Sequence, residues 1–333
     1  MRQSVVLITG AAGEIGHTLV THLSDAGLAE VITLDLKPLN DDIQRRVRRA
    51  YTGSILEREV LDAILAEYEV DTIYHLAALL STRSEFTPLT AHQVNVDGSL
   101  NLLEFAQAEG RSHGRDVKFF YPSSIAAYGF ESLAEKIAAG RVREDEANRP
   151  VTMYGCNKLY CEQLGRYYSR YYKQLDAESR SRVDFRAIRF PGLISAFTLP
   201  SGGTSDFVPE MIHAAVGRQH YACFVRPDAR IPFMTMPDAV DAIFALMNAP
   251  RAALTRSTYN ITAFNPSAEE VAKLVTERFP EASIAWQVDE KRQAIIDSWP
   301  SDVDDGAARR DWGLAPRHDL TAAFDDYLLP NIR

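Results

Sequence analysis

Cysteine is scarce in this sequence, long apolar runs are missing, and net positive charge is absent. The three cysteines, Cys156, Cys161 and Cys223, are odd in number, form no CxxC pair and lie near no histidine at metal-ligand spacing. That excludes a disulfide framework and the common zinc motifs, so no metal is expected. No apolar run approaches the roughly 20 residues that a bilayer-spanning helix needs. The N-terminus passes from Met1-Arg2-Gln3-Ser4 into Val5-Val6-Leu7-Ile8 without a signal peptide's long apolar core and small-residue cleavage site. The expectation is a cytoplasmic protein with no membrane partner. A net charge of −9 has the wrong sign for a nucleic-acid partner, which calls for a basic face. One basic run stands out, Arg45, Arg46, Arg48 and Arg49. It reads either as a solvated face or as positive charge for a cofactor's 2′-phosphate.

What is present is ordinary globular composition, 46% apolar and 24% charged, over 333 residues, enough for a large α/β domain with a second, smaller lobe. Val5 to Thr9 is a continuous β-branched and apolar run, the pattern of a strand covered on both faces in a parallel sheet. It ends in Gly10-Ala11-Ala12-Gly13-Glu14-Ile15-Gly16, and helical apolar spacing follows from His17 to Ala26. Strand, glycine loop and helix in that order favour a pyrophosphate at the helix N-terminus, because glycines let the backbone approach it closely. A second strand, Glu30 to Leu34, ends in Asp35, nineteen residues after Gly16. A carboxylate there accepts ribose hydroxyls and repels a 2′-phosphate, which favours NAD over NADP.

Tyr51 to Ile55 reads as a short strand and turn beside the adenine, with Ser54 and Ile55 at its end, and a helix is expected from about Glu57 to Glu67. The next strand, Val70 to Leu76, runs into His75-Leu76-Ala77-Ala78, where small residues permit close approach to a cofactor. His75 reads as packed at a strand end. Ser81 and Thr82 are loop hydroxyls that face substrate in this reading. One long helix is expected from about Thr90 to Glu109, containing Asn95. Lys118 to Tyr121 is a further strand, which delivers Ser123-Ser124 at the carboxyl end, where open α/β sheets bind ligands. Thirty residues on comes Tyr154-Gly155-Cys156-Asn157-Lys158. In a helix, Tyr154 and Lys158 share a face. The ammonium is expected to pull the phenol down from about 10 into the range of a working base. Ser124 then holds a substrate oxygen while Tyr154 takes its proton.

This series, TGxxGxxG, an acidic strand end, HLAA, SSxxxYG and YxxxK in order over residues 4–160, resembles the extended short-chain dehydrogenase/reductase family. The resemblance implies a Rossmann-type doubly wound parallel sheet with a smaller C-terminal substrate-binding lobe. It also implies NAD as cofactor, Tyr154 as base, Lys158 as its tuner and ribose partner, and Ser124 as substrate-orienting hydroxyl. Cofactor roles pass by resemblance to Gly10, Gly13, Glu14, Ile15, Gly16, Asp35, Ser54, Ile55, Leu76, Ala77, Ala78, Asn95, Tyr154 and Lys158. The domain division expected is 1–175 for NAD, with returns near 183–195 and 230–262, and 196–229 plus 263–333 for substrate.

Past Tyr154 the helix is expected to continue to about Lys173 with an aromatic stripe, Tyr160, Tyr167, Tyr168, Tyr171 and Tyr172. Such a stripe is core or an oligomer face, and helix pairs of this kind build homodimers in the family. After a strand at Val183–Phe190, sugar-nucleotide epimerases have an Asn-containing RxxNxYGP-like segment, where this chain has Gly192. Leu199 to Phe207, including Ser201-Gly202-Gly203-Thr204, is too glycine-rich for a strand or helix and long enough to cover a ligand. With Pro191-Gly192-Leu193-Ile194-Ser195, Tyr259-Asn260-Ile261, Arg292 to Pro300 and Asp304 to Gly313, the chain resembles the L-threonine 3-dehydrogenase group of the family along nearly its whole length. Departures fall at Ser201, Ser205, Phe207 and Gly306, and the segments 130–150 and 174–182 are longer than usual for the group. This resemblance implies NAD-dependent oxidation of the 3-hydroxyl of L-threonine to 2-amino-3-oxobutanoate. Ser81, Ser124, Tyr154, Gly192, Thr204 and Trp299 form the implied pocket. Two alternatives stay open: a sugar-nucleotide epimerase or dehydratase using the same cofactor and Tyr-Lys pair, and a non-catalytic NAD sensor, a class that commonly lacks the tyrosine or lysine.

Overall fold

Alternate residues of the first apolar run face opposite cores: Val6 and Ile8 pack on one side of the sheet, Val5 and Leu7 on the other. This two-sided burial is why the run lacks polar alternation. The computed structural model describes residues 2–200 and 202–332. Met1, Ser201 and Arg333, read from sequence as parts of the cofactor domain, the substrate loop and the C-terminal lobe, lie outside the described residues.

Seven strands form the central sheet: β1 (Gln3–Thr9), β2 (Val31–Asp35), β3 (Arg49–Thr52), β4 (Tyr68–His75), β5 (Val117–Ser124), β6 (Val183–Phe190) and β7 (Thr258–Asn260). All pairings are parallel, in the order β3-β2-β1-β4-β5-β6-β7. The order reverses between β1 and β4, so a crevice opens above their carboxyl ends, the place where doubly wound sheets bind ligands.

Helices α1 (Glu14–Asp25), α2 (Arg58–Glu67), α3 (Gly98–His113), α4 (Met153–Arg170) and α5 (Met236–Asn248) cover the sheet. On one face α1 and α5 contribute Leu19, Val20, Leu23, Ile243 and Leu246; on the other, α2, α3 and α4 contribute Leu61, Ile64, Leu102, Cys161 and Tyr168. A third apolar cluster forms the smaller lobe around helices Phe207–Val216, Ala268–Arg278 and Glu290–Ser298.

The expected helix from Thr90 to Glu109 is divided. Short helices Ser81–Phe86 and Pro88–His92 lead into a π turn at Gln93–Asp97, and only then does α3 begin. The backbone carbonyl of Asn95 accepts from Ser99 Oγ at 2.6 Å and Cys161 Sγ at 3.2 Å, bonds that periodicity does not encode. Helix α4 stops at Arg170, short of Lys173, which has a positive φ of 46°. Helix α1 begins at Glu14, inside the glycine loop, three residues before the expected start. The tyrosine stripe splits by direction: Tyr168 and Tyr172 enter the core, whereas Tyr160, Tyr167 and Tyr171 are exposed.

Candidate functional site

Three loops meet above the crevice. The first follows β1. Gly10 adopts φ +69°, and a Cβ there would lie 2.6 Å from the Ala77 nitrogen, so the glycine permits the loop after β1 to press against the loop after β4. Gly13 is exposed and precedes α1; a Cβ on it would meet nothing nearer than the Gly10 oxygen at 3.6 Å, and no side chain caps the helix. The protein's own packing therefore does not demand a glycine at 13. Its bare backbone leaves a cradle at a positively polarised helix end, which fits a dinucleotide pyrophosphate. Gly16 lies one turn inside the helix and is buried.

Asp35, the last residue of β2, accepts the Ala12 N–H at 2.9 Å and the Lys37 N–H at 3.0 Å. These bonds fix the carboxylate beside the glycine loop. The arginine run does not supply a phosphate site. Arg45 pairs with Asp42, Arg46 with Asp25, Arg48 with Glu30 at 3.8 Å and Arg49 with Glu67. Each charge is answered by a carboxylate. Ser54 follows β3 and caps the Leu56 N–H at 3.2 Å, and the Ile55 side chain is buried against Gly98.

The second loop is Leu76 to Leu80. Asn95 holds it by both ends of its amide, accepting the Leu79 N–H at 2.8 Å and donating to the Leu79 carbonyl at 3.1 Å. Asn157, for which the sequence suggests no role, stands behind it, with Asn95 Nδ2 at 3.5 Å from its Oδ1. Leu76, Ala77 and Ala78 are partly buried along this loop. His75 is buried between Thr9 Oγ1 and Ser99 Oγ, each at 2.9 Å, and burial pushes its pKa down to about 3. It is a neutral packing group, as its strand-end position suggested.

The third loop follows β5. Ser124, the last strand residue, accepts the Ala126 N–H at 3.1 Å and starts a single tight turn over Ile125–Ala127. Helix α4, capped by Thr152 Oγ1 on the Gly155 N–H at 3.1 Å, runs against that turn. A Cβ on Gly155 would lie 2.0 Å from the Ala126 oxygen, so only glycine lets the helix that carries Tyr154 approach the turn that carries Ser124. Ser123 points the other way and donates to Glu162, which Arg189 clamps with bonds of 2.8 and 2.6 Å. This buried pair, two helical turns beyond Tyr154, fixes strand β6 to α4, and Ser123 ties β5 to the same carboxylate; sequence reading missed the pair because its partners are 27 residues apart.

Lys158 is buried. Its ammonium donates to the Pro122 carbonyl at 2.6 Å and lies 5.3 Å from the Tyr154 ring centroid. Burial brings its pKa down to about 8. One expectation is corrected here: burial moves the Tyr154 phenol upward from its ordinary value, not downward, because desolvation penalises the phenolate and the ammonium faces Pro122. Cys156 is exposed, on the outer side of the same helix turn.

The other residues that the sequence implies for a pocket come from both parts of the chain. Ser81 starts the helix Ser81–Phe86, and its neighbour Thr82 donates to the Gly202 carbonyl at 3.0 Å. Thr204 is buried. Gly192 sits where a Cβ would be 2.4 Å from the Phe233 ring, so the space an asparagine would take is filled by an aromatic side chain. Trp299 is 4% exposed and its indole N–H has no partner among the described residues. It belongs to the apolar cluster against which Tyr154 packs. An orphaned buried donor suits an acceptor oxygen on a ligand.

Residues 6–262 match the model of the NAD dependent epimerase/dehydratase family. The chain is 35% identical to the mitochondrial L-threonine 3-dehydrogenase of Bos taurus over 319 residues, 96% of this chain and 80% of that protein. Its fold is similar to the holo form of the GalE-like L-threonine dehydrogenase from Cupriavidus necator, with a TM-score of 0.85, 34% identity and coverage of 98% and 99% of the two chains. A monomeric L-threonine 3-dehydrogenase from a metagenome database, in its apo form, is similar at a TM-score of 0.84 and 34% identity, with 98% of both chains covered.

Proposed function

Because the chain belongs to the NAD dependent epimerase/dehydratase family and is an NAD-dependent oxidoreductase acting on a CH–OH group, we propose that its substrate is L-threonine, oxidised at the 3-hydroxyl to 2-amino-3-oxobutanoate. The observation that carries this reading is Trp299, a buried indole N–H without a partner in the cluster that Tyr154 packs against. A small acid such as an amino acid offers that donor a carboxylate oxygen. Gly192 supports the same reading, since Phe233 occupies the room that the epimerase-like asparagine takes.

In this assignment Gly10, Gly13, Glu14, Ile15 and Gly16 form the pyrophosphate cradle, Asp35 holds the adenosine ribose, and Ser54, Ile55, Leu76, Ala77, Ala78 and Asn95 line the rest of the cofactor path. NAD supplies the hydride acceptor. Ser124 donates a hydrogen bond to the substrate oxygen, and Tyr154 as phenolate takes the hydroxyl proton. Burial raises the tyrosine, so the phenolate depends on nearby positive charge, and Lys158 is the cation placed to provide it. Ser81, Gly192, Thr204 and Trp299 shape the pocket. Residues 1–175, with the returns near 183–195 and 230–262, act as the NAD domain; 196–229 and 263–333 act as the substrate lobe. The exposed tyrosines Tyr160 and Tyr167 of α4 and Tyr171 just past its end pair two copies in a homodimer, and the enzyme works in the cytoplasm.

The test is NADH formation, followed by absorbance, across L-threonine, L-serine, simple hydroxy acids and UDP-sugars. L-Threonine is expected to give the highest kcat/KM. No signal with L-threonine overturns the substrate assignment, and a response confined to UDP-sugars replaces it with the epimerase-like reading.

A further inference from the structure

Glu14 belongs to the glycine loop by sequence, yet its side chain serves the other lobe. Its carboxylate accepts a hydrogen bond at 2.5 Å from Ser195 Oγ, 181 residues further along the chain. The Ser195 oxygen in turn accepts the N–H groups of Phe197 at 3.0 Å and Thr198 at 3.1 Å. A hydroxyl has one proton and two lone pairs. Ser195 therefore spends its lone pairs on the turn that begins the segment 195–206 and turns its proton to Glu14, with the Tyr327 hydroxyl as a further neighbour. The next amide, Ala196 N–H, is held by the Tyr327 hydroxyl at 3.0 Å.

At the far end of the segment, Thr82 holds the Gly202 carbonyl at 3.0 Å and Arg292 holds the Gly203 carbonyl at 2.8 Å. Between these anchors Phe197 and Leu199 are 70% and 72% exposed. Phe197 meets the Tyr327 ring edge-on at 6.4 Å, and among the described residues the hydrogen bonds named above are what hold the two ends. The Glu14 carboxylate also lies at the first residue of α1, the end that attracts anions. Its bond to Ser195 directs it toward the smaller lobe, while the bare backbone of Gly13 is left for an anionic ligand.

We propose that Glu14 is a positioning residue which, through Ser195, fixes the root of the 195–206 segment and with it the wall that carries Thr204. Its side chain acts on the alcohol site, while its backbone stays in the cofactor cradle. The consequence for substrate rests on the proposed placement of Thr204 in the pocket; the tether itself does not.

Chymotrypsin cleavage after Phe197 in the full-length protein without ligands reads the tether directly. Ser195→Ala and Glu14→Ala are expected to speed cleavage about tenfold, the effect of losing roughly one charge-assisted hydrogen bond. Glu14→Gln keeps a carbonyl that accepts the serine proton, and is expected to cleave like the wild type. The double variant Glu14→Ala/Ser195→Ala is expected to match the singles, since both remove one interaction. In steady-state assays the two alanine variants raise KM for the alcohol, and Ser195→Ala, which lies outside the cofactor cradle, keeps NAD Kd within about twofold of wild type on the same scale. Thermal unfolding checks that each variant is folded. Unchanged cleavage in both alanine variants overturns the proposal, as does weakened NAD binding with an unchanged alcohol KM in Ser195→Ala. Thr204→Val separates the two readings. An unaltered KM there, with faster cleavage in Ser195→Ala, removes Thr204 from the pocket and supports the tether.

Discussion

The Lys158 ammonium and the Pro122 carbonyl are 2.6 Å apart, which joins the helix that carries Tyr154 to the strand that ends at Ser124. One buried cation therefore does two things. It ties the strand that ends at Ser124 to the helix that bears Tyr154, and it places a positive charge 5.3 Å from the Tyr154 ring centroid.

Replacing each member of this group separates chemistry from binding. Tyr154→Phe is expected to lower kcat by about 10²–10⁴-fold, the size of a lost general base, with NAD Kd unchanged by fluorescence titration. Lys158→Met is expected to lower kcat comparably and to weaken NAD binding as well, because the family resemblance gives the lysine a ribose contact that the tyrosine variant retains. Full activity in Tyr154→Phe removes that residue from the mechanism.

In the proposed assignment Asp35 carries the choice of NAD over NADP, since all four arginines of the 45–49 run are paired with carboxylates. Asp35→Ala is expected to improve the kcat/KM ratio of NADP to NAD by at least about tenfold, through loss of like-charge repulsion toward the 2′-phosphate. Steady-state kinetics with both cofactors checks it. An unchanged ratio assigns the discrimination elsewhere.

Gly192 is a packing requirement of Phe233. A Cβ at 2.4 Å from the ring must displace an aromatic side chain that is itself fully buried. Gly192→Ala is expected to destabilise the protein by about 1–3 kcal/mol, the usual cost of overpacking a core, read as a lower denaturant midpoint. Phe233→Leu combined with Gly192→Ala is expected to recover part of that loss; strict additivity of the two changes means that they do not share the space.

Glu109 gives the fold a pH dependence away from the active site. Its carboxyl is fully buried on α3, with Arg2 at 3.7 Å and His113 at 4.0 Å, and Val70, Glu69 and Asp71 around it. Burial pushes its pKa up to about 7. In the unfolded chain it ionises near 4.3, so between these values the folded state binds more protons and stability falls as pH rises. The penalty is complete above about pH 7 and absent well below the unfolded value. Glu109→Gln is expected to flatten this dependence and to be more stable than wild type at pH 8, measured as Tm across pH 5 to 8. A wild-type Tm that rises over the same interval contradicts it.

The sequence by itself determined the sheet's identity and the place of its ligand site. β1 needed an unbroken apolar run because both faces are covered, and Gly10, Gly13, Asp35, Ser124 and Tyr154 lie at the ends of elements that the spacing already announced. Local chemistry fixes such features, so they are legible in a linear string. Contacts between distant segments are not. The division of the Thr90–Glu109 helix followed from what Asn95 bonds to, and the pairing of Arg189 with Glu162 and of Ser195 with Glu14 spans up to 181 residues. The direction in which Tyr154 titrates was decided by burial, a property of the packed lobe that four-residue spacing does not contain. Tertiary structure alone settled which glycines the protein's own packing does not require, as at Gly13, and which make room for its own side chains, as at Gly192, because that depends on what stands opposite each missing Cβ.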